Sequence, residues 1–564
     1  MSEDTDMPGP EWIRRLSDDE STRVVAGELV DPAAAEAAVG PLAGMSFAVK
    51  DNIDIAGLPT TAAFPARAEH PAQATATAVR RLIRAGAIPA GKTNLDQFAT
   101  GLVGTRSPYG ACHAVGHPGY VSGGSSSGSA VAVASGQVDF ALGTDTAGSG
   151  RVPAAFNGLV GMKPSRGLVS TTGVVPACRS LDCVSIFTRS VGAARQAFRV
   201  LAAYDPADPY ARPWPAHRPH IAATPRVIAI PAGPLDLDDE HRKAWDAALR
   251  RAHEVAEYVV EIDIEPFIAA ARLLYQGPWV AERWNAIAPM LGEPGLDHGD
   301  LDPTVRRVLT GADAIGAAAA FAGFDELARL RRASEHTWDV ADALLLPVTP
   351  GHPTLAEVAA DPLGVNSRLG TYTNFVNLLD LCAIAVPAGE RPDGLPFGVQ
   401  LIGPAFADDR LLDLAAVWTG EAEPEDAPQR AGWTRLAVVG AHLSGLPLNH
   451  QLRELGGRLI RRTRTAAGYR LHHLPATEPP RPGLYPQPAD AGERDGAGVP
   501  AEVWELPQQS IAALLETVPA PLGFATVTLA DGTGVLGFLA HGPVPATATE
   551  VTVPGGWREY LAAL

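Results

Sequence analysis

The chain has 564 residues, of which 46% are hydrophobic and 19% are charged, and its 45 basic and 63 acidic side chains give a formal net charge of −18. This composition excludes a disordered chain, a fibre and a small disulfide-stapled fold, because it supplies a large apolar core. The acidic excess argues against a nucleic-acid-binding protein, which needs a basic surface to displace counterions from phosphates.

No targeting or membrane segment is apparent. The first 20 residues are acidic and lack the apolar part of a secretory signal. The longest apolar run, Ala314–Phe324, has 11 residues, whereas a membrane span needs about 20. We therefore expect a soluble, cytoplasmic protein with no nucleic-acid or membrane partner, no cofactor and no metal. The cysteines, whose spacing fits neither a zinc site nor a disulfide framework, are Cys112, Cys178, Cys183 and Cys382.

The predicted elements begin with a polar helix in residues 1–35, followed by a strand that enters a turn in Met45–Ile55. A helix over Ala74–Gly86 ends at a glycine and leads into a short strand at Ala87–Ala90. From Ser107 to Gly173 glycine and serine are dense and charges are rare. Because apolar residues are interleaved there, this stretch predicts buried loops, strands and a helix around a site rather than a flexible linker.

Helical patterns then alternate with short apolar strands, such as Val227–Ile230 and Leu344–Val348, which predicts an α/β fold with a mixed sheet. An acidic, proline-rich stretch predicts a linker at 423–433. It would separate a first domain at 1–422 from a second at 434–564, and about 130 residues suffice for a second core.

The second domain contains four apolar segments that are predicted to be strands: LAVVGAHL, AEVWELP, GFATVTLA and GVLGFLA. Between them, Pro479–Pro500 is rich in proline, glycine and aspartate and is predicted to be a mobile loop.

The segment Gly123–Gly167 carries the strongest chemical signal. Ser149 lies in DTAGSGR, where flanking glycines allow a cup of backbone N–H groups that can stabilise an oxyanion. No histidine occurs in this stretch, so a serine nucleophile would need another base, and a desolvated lysine can serve. Lys50, in FAVKDN, is one of only four lysines in the chain and follows apolar residues. A tight turn or phosphate loop and a solvated lysine are the alternatives, although no GxxxxGK[ST] or GxGxxG motif supports phosphate binding.

The elements GGSSSG, GTDTAGSGR and GMKPSRG closely resemble the signature of the amidase signature family of serine hydrolases. The resemblance extends upstream to AVKDNID and GKTNLDQFATG and covers roughly residues 40–420. It implies a central mixed β-sheet flanked by helices, and catalysis by a Ser–cis-Ser–Lys triad.

By this resemblance Lys50 is the family lysine, Ser125 the bridging serine and Ser149 the nucleophile. Because Ser126 and Ser127 follow directly, the assignment of the bridging serine is open to a shift of one residue. The implied oxyanion hole consists of the backbone N–H groups of Thr146, Ala147, Gly148 and Ser149. Asp145 and Arg151 would hold that loop by hydrogen bonds rather than contact substrate.

Two further regions resemble the allophanate hydrolases within this family. One is CRSLDCVSIF, and the other is the tail from VVGAHLSGLPLNHQL through VWELP to GGWREYL. In addition, LLYQGPWVAER resembles the family's substrate-carboxylate clamp and places Tyr275 and Arg283 on its two binding positions. A core tyrosine and a helix-surface arginine are the structural alternatives for these two residues.

The tail resembles the allophanate-hydrolase-type C-terminal domain, which implies a smaller α+β fold similar to γ-glutamyl cyclotransferase. It would assist decarboxylation of N-carboxycarbamate, or would only stabilise a dimer. Its candidate polar residues, each of which fits a structural role as well, are His442, Asn449, His450 and Arg464.

The resemblance therefore implies hydrolysis of allophanate, a small anionic amide, to ammonia and carbon dioxide through an acyl-serine intermediate. The pathway would be urea or s-triazine degradation, including that of cyanuric acid. A homodimer is expected, with a functional link to a separate urea carboxylase chain because no biotin-attachment region is present. The alternatives are a general amidase or glutaminase-type subunit, and a non-catalytic scaffold.

Overall fold

The structure is a computed structural model, and it describes residues 9–28, 40–215, 227–421, 433–474, 478–487, 498–551, 553 and 555–563. The chain divides into two compact units, the first within Met1–Trp214 and Val227–Glu423 and the second within Pro424–Leu564. The predicted linker at 423–433 lies outside the described residues except for Trp433, which begins a strand of the second unit.

The described part of the first unit contains thirteen strands. They are β1 (Trp12–Arg15), β2 (Ser46–Lys50), β3 (Ile88–Thr93), β4 (His113–Ala114), β5 (His117–Val121), β6 (Phe140–Asp145), β7 (Val160–Lys163), β8 (Cys183–Thr188), β9 (Val227–Pro231), β10 (Tyr258–Ile262), β11 (Ala343–Pro347), β12 (Leu381–Glu390) and β13 (Pro396–Pro404). Eleven of them form one sheet in the order β1-β3-β2-β6-β8-β7-β12-β13-β11-β9-β10, and β4 and β5 pair separately. Parallel and antiparallel pairs both occur, so the expected mixed sheet is confirmed.

Helices flank this sheet. They are α1 (Asp18–Glu28), α2 (Thr77–Arg84), α3 (Ser127–Ala134), α4 (Val152–Phe156), α5 (Val191–Leu201), α6 (Asp239–Val255), α7 (Glu265–Gln276), α8 (Trp279–Leu291), α9 (Pro303–Leu309), α10 (Ala317–Ser334), α11 (Thr337–Val340), α12 (Leu355–Ala360), α13 (Gly364–Leu369), α14 (Phe375–Leu378) and α15 (Asp408–Thr419). Within the described ranges no single helix is long and apolar enough to cross a bilayer; Pro303–Ala314 and Ala317–Val340 meet that test only as a pair, and the pair is bent by 106°.

The centre of the sheet brings the predicted catalytic segments together. Strand β2 pairs in parallel with β3 on one side and with β6 on the other, so the carboxyl ends of all three strands lie at one edge. Its residues 47–49 are fully buried, as expected of a strand covered on both faces. Helix α3 consists of small and β-branched residues and is buried nearly all round, which lets it pack closely on β2 and β6.

One expectation near the start of the chain is wrong. Residues 12–15 form the edge strand β1, paired antiparallel with β3, and the polar helix is restricted to α1. The reason is tertiary: the Trp12 side chain is buried in the core and its Nε1 donates to Gln137 Oε1 at 2.6 Å. Four residues are too few for a periodic pattern to reveal such a contact.

The second unit has its own sheets and core. Its described elements are β14 (Trp433–Val438), β15 (Arg458–Arg464), β16 (Tyr469–Leu474), β17 (Arg481–Pro486), β18 (Pro500–Pro507), β19 (Leu522–Thr528), β20 (Gly534–Ala540) and β21 (Thr549–Glu550), with α16 (Asn449–Glu454), α17 (Ser510–Glu516) and α18 (Gly556–Ala563). One sheet has the order β15-β18-β14-β20-β19 and the other β17-β16-β21. Leu436, Trp504 and Trp557 are buried in the core between these elements.

The prediction of a mobile loop at Pro479–Pro500 is wrong for Arg481–Pro486, because these residues form strand β17. Residues 488–497 of the predicted loop lie outside the described part of the chain. Leu484 and Tyr485 are buried, and Leu484 pairs with Leu471 of β16. The prolines of this strand are tolerated because β17 is at the edge of its sheet, where a missing N–H costs no ladder hydrogen bond.

Candidate active site

Lys50 is the last residue of β2, and its side chain is fully buried. Its Nζ donates to Ser125 Oγ at 2.8 Å and to Thr144 Oγ1 at 2.7 Å. Burial lowers the pKa of Lys50 from its ordinary value of 10.5 to about 7, against the opposing pull of nearby carboxylates. A substantial fraction of this amine is therefore uncharged at neutral pH, and the uncharged form is the one that can accept a proton.

Two other buried lysines show what is particular to Lys50. Lys92 forms an ion pair with Asp51 at 2.8 Å, and both side chains are 1% exposed. Lys163 Nζ donates to the Pro164 carbonyl at 2.6 Å. Of these three buried lysines, Lys50 is the one that contacts two hydroxyl groups, Ser125 in the loop before α3 and Thr144 in β6, so its surroundings suit proton transfer rather than charge pairing.

The serine cluster before α3 is arranged so that one serine faces the lysine. The peptide bond between Gly124 and Ser125 is cis, and Ser125 is the member of the cluster that accepts a hydrogen bond from Lys50. Ser126 Oγ lies 3.2 Å from the Thr144 carbonyl, and Ser127 Oγ donates to the Asn94 carbonyl at 3.5 Å. These contacts favour Ser125 over its two neighbours as the residue that communicates with Lys50.

Ser149 is buried in the turn that follows β6. The turn begins directly after the strand whose Thr144 contacts Lys50. At Gly148, φ is 128° and an added Cβ would lie 2.4 Å from Thr373 Oγ1, so a side chain cannot be accommodated. The loop is fixed further by Thr373 Oγ1, which donates to the Ala147 carbonyl at 2.7 Å.

One of the four expected oxyanion donors is already engaged. The Gly148 N–H donates to Asp145 Oδ1 at 2.8 Å, so the prediction is corrected at this residue. The Asp145 carboxylate is buried and requires donors, which is the physical reason. Within the described part of the chain, the N–H groups of Thr146, Ala147 and Ser149 donate to no protein acceptor, and these three can face a substrate oxygen.

Asp145 and Arg151 form a fully buried, two-pronged ion pair beneath this turn. Arg151 Nε lies 2.9 Å from Asp145 Oδ2, and Nη2 lies 3.0 Å from Oδ1. Burial by itself raises the pKa of Asp145, but the Arg151 guanidinium outweighs it and holds that pKa below its ordinary value. Asp145 also accepts from the Gly150 N–H at 3.0 Å, so the pair shapes both sides of the Ser149 turn.

Tyr275 and Arg283 are brought together by consecutive helices. Tyr275 lies in α7 and Arg283 in α8, and the guanidinium carbon is 5.7 Å from the centre of the tyrosine ring. Arg283 is only 1% exposed, so the alternative of a helix-surface arginine is wrong. Its Nη1 donates to Thr100 Oγ1 at 2.9 Å. Among the described residues, it has no carboxylate within ion-pair distance, which leaves a buried cation able to receive an anion.

This region also contains four residues that were not predicted from the sequence. Asp96 is buried, its N–H donates to the Ser125 carbonyl at 3.0 Å, and burial raises its pKa. Asp182 accepts from Thr146 Oγ1, and burial raises its pKa to about 6. Both aspartates lie inside the motifs GKTNLDQFATG and CRSLDCVSIF, which was the available signal. The other two are Thr144, which accepts a hydrogen bond from Lys50, and Glu282, whose carboxylate accepts two hydrogen bonds from Ser180.

The four candidate residues of the second unit do not converge. His442 stacks on Phe538 and its Nε2 lies 2.9 Å from Gln451 Oε1; burial lowers its pKa to about 4. Asn449 donates to the His442 carbonyl at 2.9 Å. His450 is exposed, and Arg464 donates to the Gly498 carbonyl at 2.7 Å. His442 and Asn449 are thus neighbours, whereas His450 and Arg464 have separate local contacts.

The chain matches the family model for amidases over residues 18–412. It belongs to the amidase family. Residues 434–562 match the model for the allophanate hydrolase C-terminal domain. The protein is therefore an amidase-family hydrolase with that second domain.

Individual relatives agree with this assignment. The chain is 44% identical to urea amidolyase of Lachancea kluyveri and 42% identical to that of Saccharomyces cerevisiae, over 92% and 93% of its length. It spans only 30% of the length of each of these relatives. A solved structure of Kluyveromyces lactis allophanate hydrolase superposes with a TM-score of 0.80 at 40% identity, covering 98% of this chain and 93% of that one.

Proposed function

We propose that this protein hydrolyses allophanate, releasing ammonia through an acyl-Ser149 intermediate. The observation that carries the substrate assignment is Arg283, a buried guanidinium without a carboxylate partner among the described residues. It contacts Thr100 in the segment that begins with Asp96, and Asp96 in turn bonds to Ser125. The unpaired cation therefore belongs to the same connected region as the Lys50–Ser125 pair.

The proposed relay uses the uncharged amine of Lys50. Lys50 accepts the proton of Ser125, and Ser125 accepts that of Ser149, whose oxygen attacks the terminal amide carbonyl of allophanate. The backbone N–H groups of Thr146, Ala147 and Ser149 stabilise the oxyanion. The relay then returns a proton to the departing nitrogen, and ammonia leaves. Water attacks the acyl-serine and yields N-carboxycarbamate, regenerating the Ser149 hydroxyl.

Substrate size explains why a charged clamp is needed. Allophanate is small and planar, so it offers few apolar contacts, and its carboxylate is the strongest recognition element. Hydrogen bonds from a guanidinium or a phenol to a carboxylate contribute about 1.5–3 kcal/mol each. Tyr275 and Arg283 supply both donors. Burial by itself lowers the pKa of Arg283, but nearby acidic groups outweigh it and raise that pKa, so the guanidinium stays charged.

The second domain is proposed to assist decarboxylation of N-carboxycarbamate to ammonia and carbon dioxide. Support comes from the match of residues 434–562 to the allophanate hydrolase C-terminal domain. In this unit His442 and Arg481 line a cavity together with Phe538. His442 is buried whereas His450 is exposed, so of these two histidines we propose His442 for this step.

The proposed pathway follows from the chemistry of the substrate. Allophanate is carboxylated urea, so a urea-carboxylating reaction can supply it, as can opening of an s-triazine such as cyanuric acid. The two urea amidolyase relatives favour the first source. A cytoplasmic homodimer that receives allophanate from a urea carboxylase is the arrangement we propose, and light scattering tests the dimer.

The substrate assignment is tested by ammonia release from allophanate, from malonamate and from a neutral aryl amide. A preference for the two anions in kcat/KM is expected, and Ser149→Ala is expected to abolish release from all three. A preference for the neutral aryl amide would identify a general amidase instead, even with Ser149 still required.

A further inference from the structure

A short loop before β8 contacts two parts of the proposed site. This loop, Ala177–Asp182, is called the coupling loop here. Its last residue accepts three hydrogen bonds: from Thr146 Oγ1 at 2.5 Å, from the Ala177 N–H at 2.8 Å and from the Cys178 N–H at 3.2 Å. Asp182 therefore closes the loop on itself and ties it to the first residue of the oxyanion turn.

The opposite side of the coupling loop is attached to the helix that carries Arg283. The Ser180 N–H donates to Glu282 Oε1 at 2.7 Å, and Ser180 Oγ donates to Glu282 Oε2 at 2.8 Å. A second contact joins Cys178 Sγ to the Trp279 carbonyl at 3.6 Å. Both carboxylate oxygens of Glu282 are thus used to hold α8 against the loop, directly beside the proposed anion-binding arginine.

The coupling loop restricts the length of the substrate that fits the proposed site. One end of the substrate is held by Arg283, and its reacting carbonyl must reach the N–H of Thr146. The coupling loop spans these two points, fixed to Thr146 by Asp182 and to α8 by Ser180. Because hydrogen bonds hold it at both ends, the distance between the carboxylate position and the oxyanion position is restricted.

We propose that the coupling loop determines specificity, with Asp182 and Glu282 as positioning residues that set the distance between Arg283 and the oxyanion turn. The inference rests on the proposed function, because it assumes a substrate with a carboxylate at one end. It predicts that the enzyme favours amides whose carboxylate and carbonyl are separated by one atom over those separated by two. Neither residue is required to touch the substrate.

The test compares malonamate with succinamate, which is one methylene longer. Ser180→Ala removes one of the two Glu282 contacts without changing any charge near Arg283. Thr146→Val removes the hydroxyl held by Asp182 at nearly constant shape, and Thr146→Ser restores it. Glu240→Gln is the matched control on α6, where Glu240 is half-buried and, among the described residues, forms one ion pair, with Lys243.

In Ser180→Ala and Thr146→Val, the malonamate-to-succinamate ratio of kcat/KM is expected to fall by about fivefold or more, the change expected from losing one hydrogen bond. Thr146→Ser and Glu240→Gln should keep the wild-type ratio. An unchanged ratio in folded Ser180→Ala and Thr146→Val proteins, with anionic amides still preferred by the wild type, would overturn the inference alone. A wild-type enzyme that prefers the neutral aryl amide would overturn the proposed function and this inference together.

Discussion

Replacing Arg283 with alanine removes a buried guanidinium that forms no ion pair with any described residue. A carboxylate bound there would lose at least one charge-assisted hydrogen bond, which contributes about 1.5–3 kcal/mol. A loss of about 2 kcal/mol corresponds to a roughly 30-fold decrease in kcat/KM. The decrease should apply to allophanate and malonamate but not to a neutral amide, because the Lys50–Ser125 pair does not depend on Arg283.

The assay is continuous measurement of ammonia release, with each substrate measured on wild-type and variant enzyme. Arg195→Ala is the matched control, since Arg195 is also a buried helical arginine but is paired with Asp413 at 2.8 Å. It should lower the melting temperature while leaving the ratio between anionic and neutral substrates unchanged. If Arg283→Ala lowers kcat/KM equally for charged and neutral amides, or for neither, the carboxylate clamp is refuted.

Four further outcomes follow from the same contacts. Lys50→Met should abolish turnover and raise the melting temperature at pH 7. The pKa of Lys50 is about 7 in the folded protein and 10.5 ordinarily, so between these pH values the unfolded wild-type chain binds one more proton than the folded one, which destabilises the wild type. Scanning fluorimetry should therefore show the difference in melting temperature between variant and wild type shrinking as pH rises from 7 to 10.5. Arg151→Ala should cost about 3–5 kcal/mol in urea unfolding, since it leaves the Asp145 carboxylate buried and unpaired. Ser125→Ala should lower kcat with little change in KM, because the proton path is cut while the substrate contacts remain; equal effects on both parameters would argue against a bridging role. His442→Phe should leave ammonia release from the first step intact and slow carbon dioxide release; unchanged carbon dioxide release would point to an architectural second domain.

Local sequence patterns were sufficient where the chemistry is contained in a short segment. Apolar runs predicted a strand entering a turn within Met45–Ile55, and strand β2 is found there at Ser46–Lys50. Glycine and serine density predicted a buried stretch from Ser107 to Gly173; it is mostly buried from Val121 onward, whereas most of residues 107–120 are exposed or half-buried. The Thr373 side chain packs so closely on Gly148 that no other residue fits there, which explains the glycine in the recognisable DTAGSGR segment.

Other features depend on contacts between distant segments and could not be predicted. Residue type alone favours a helix-surface charge at Arg283, and only the family resemblance placed it at a binding position; its burial depends on the contact between α8 and Thr100. Similarly, the Gly148 N–H was expected to face substrate, but the carboxylate of Asp145 competes for it. Strand β17 was hidden by its prolines, and only its edge position allows them.

The central claim is that the Lys50 amine is uncharged at the pH of catalysis, and a direct titration tests it. The chain has four lysines, so metabolic labelling with [ε-13C]lysine gives a small set of resonances that single substitutions assign. Lys243 is the internal reference, because it is exposed and its hydrogen bond and ion pair with Glu240 raise its pKa. The Lys50 signal should titrate near pH 7, in parallel with the rise of kcat/KM. A Lys50 midpoint near 10.5 in an active enzyme would contradict the account.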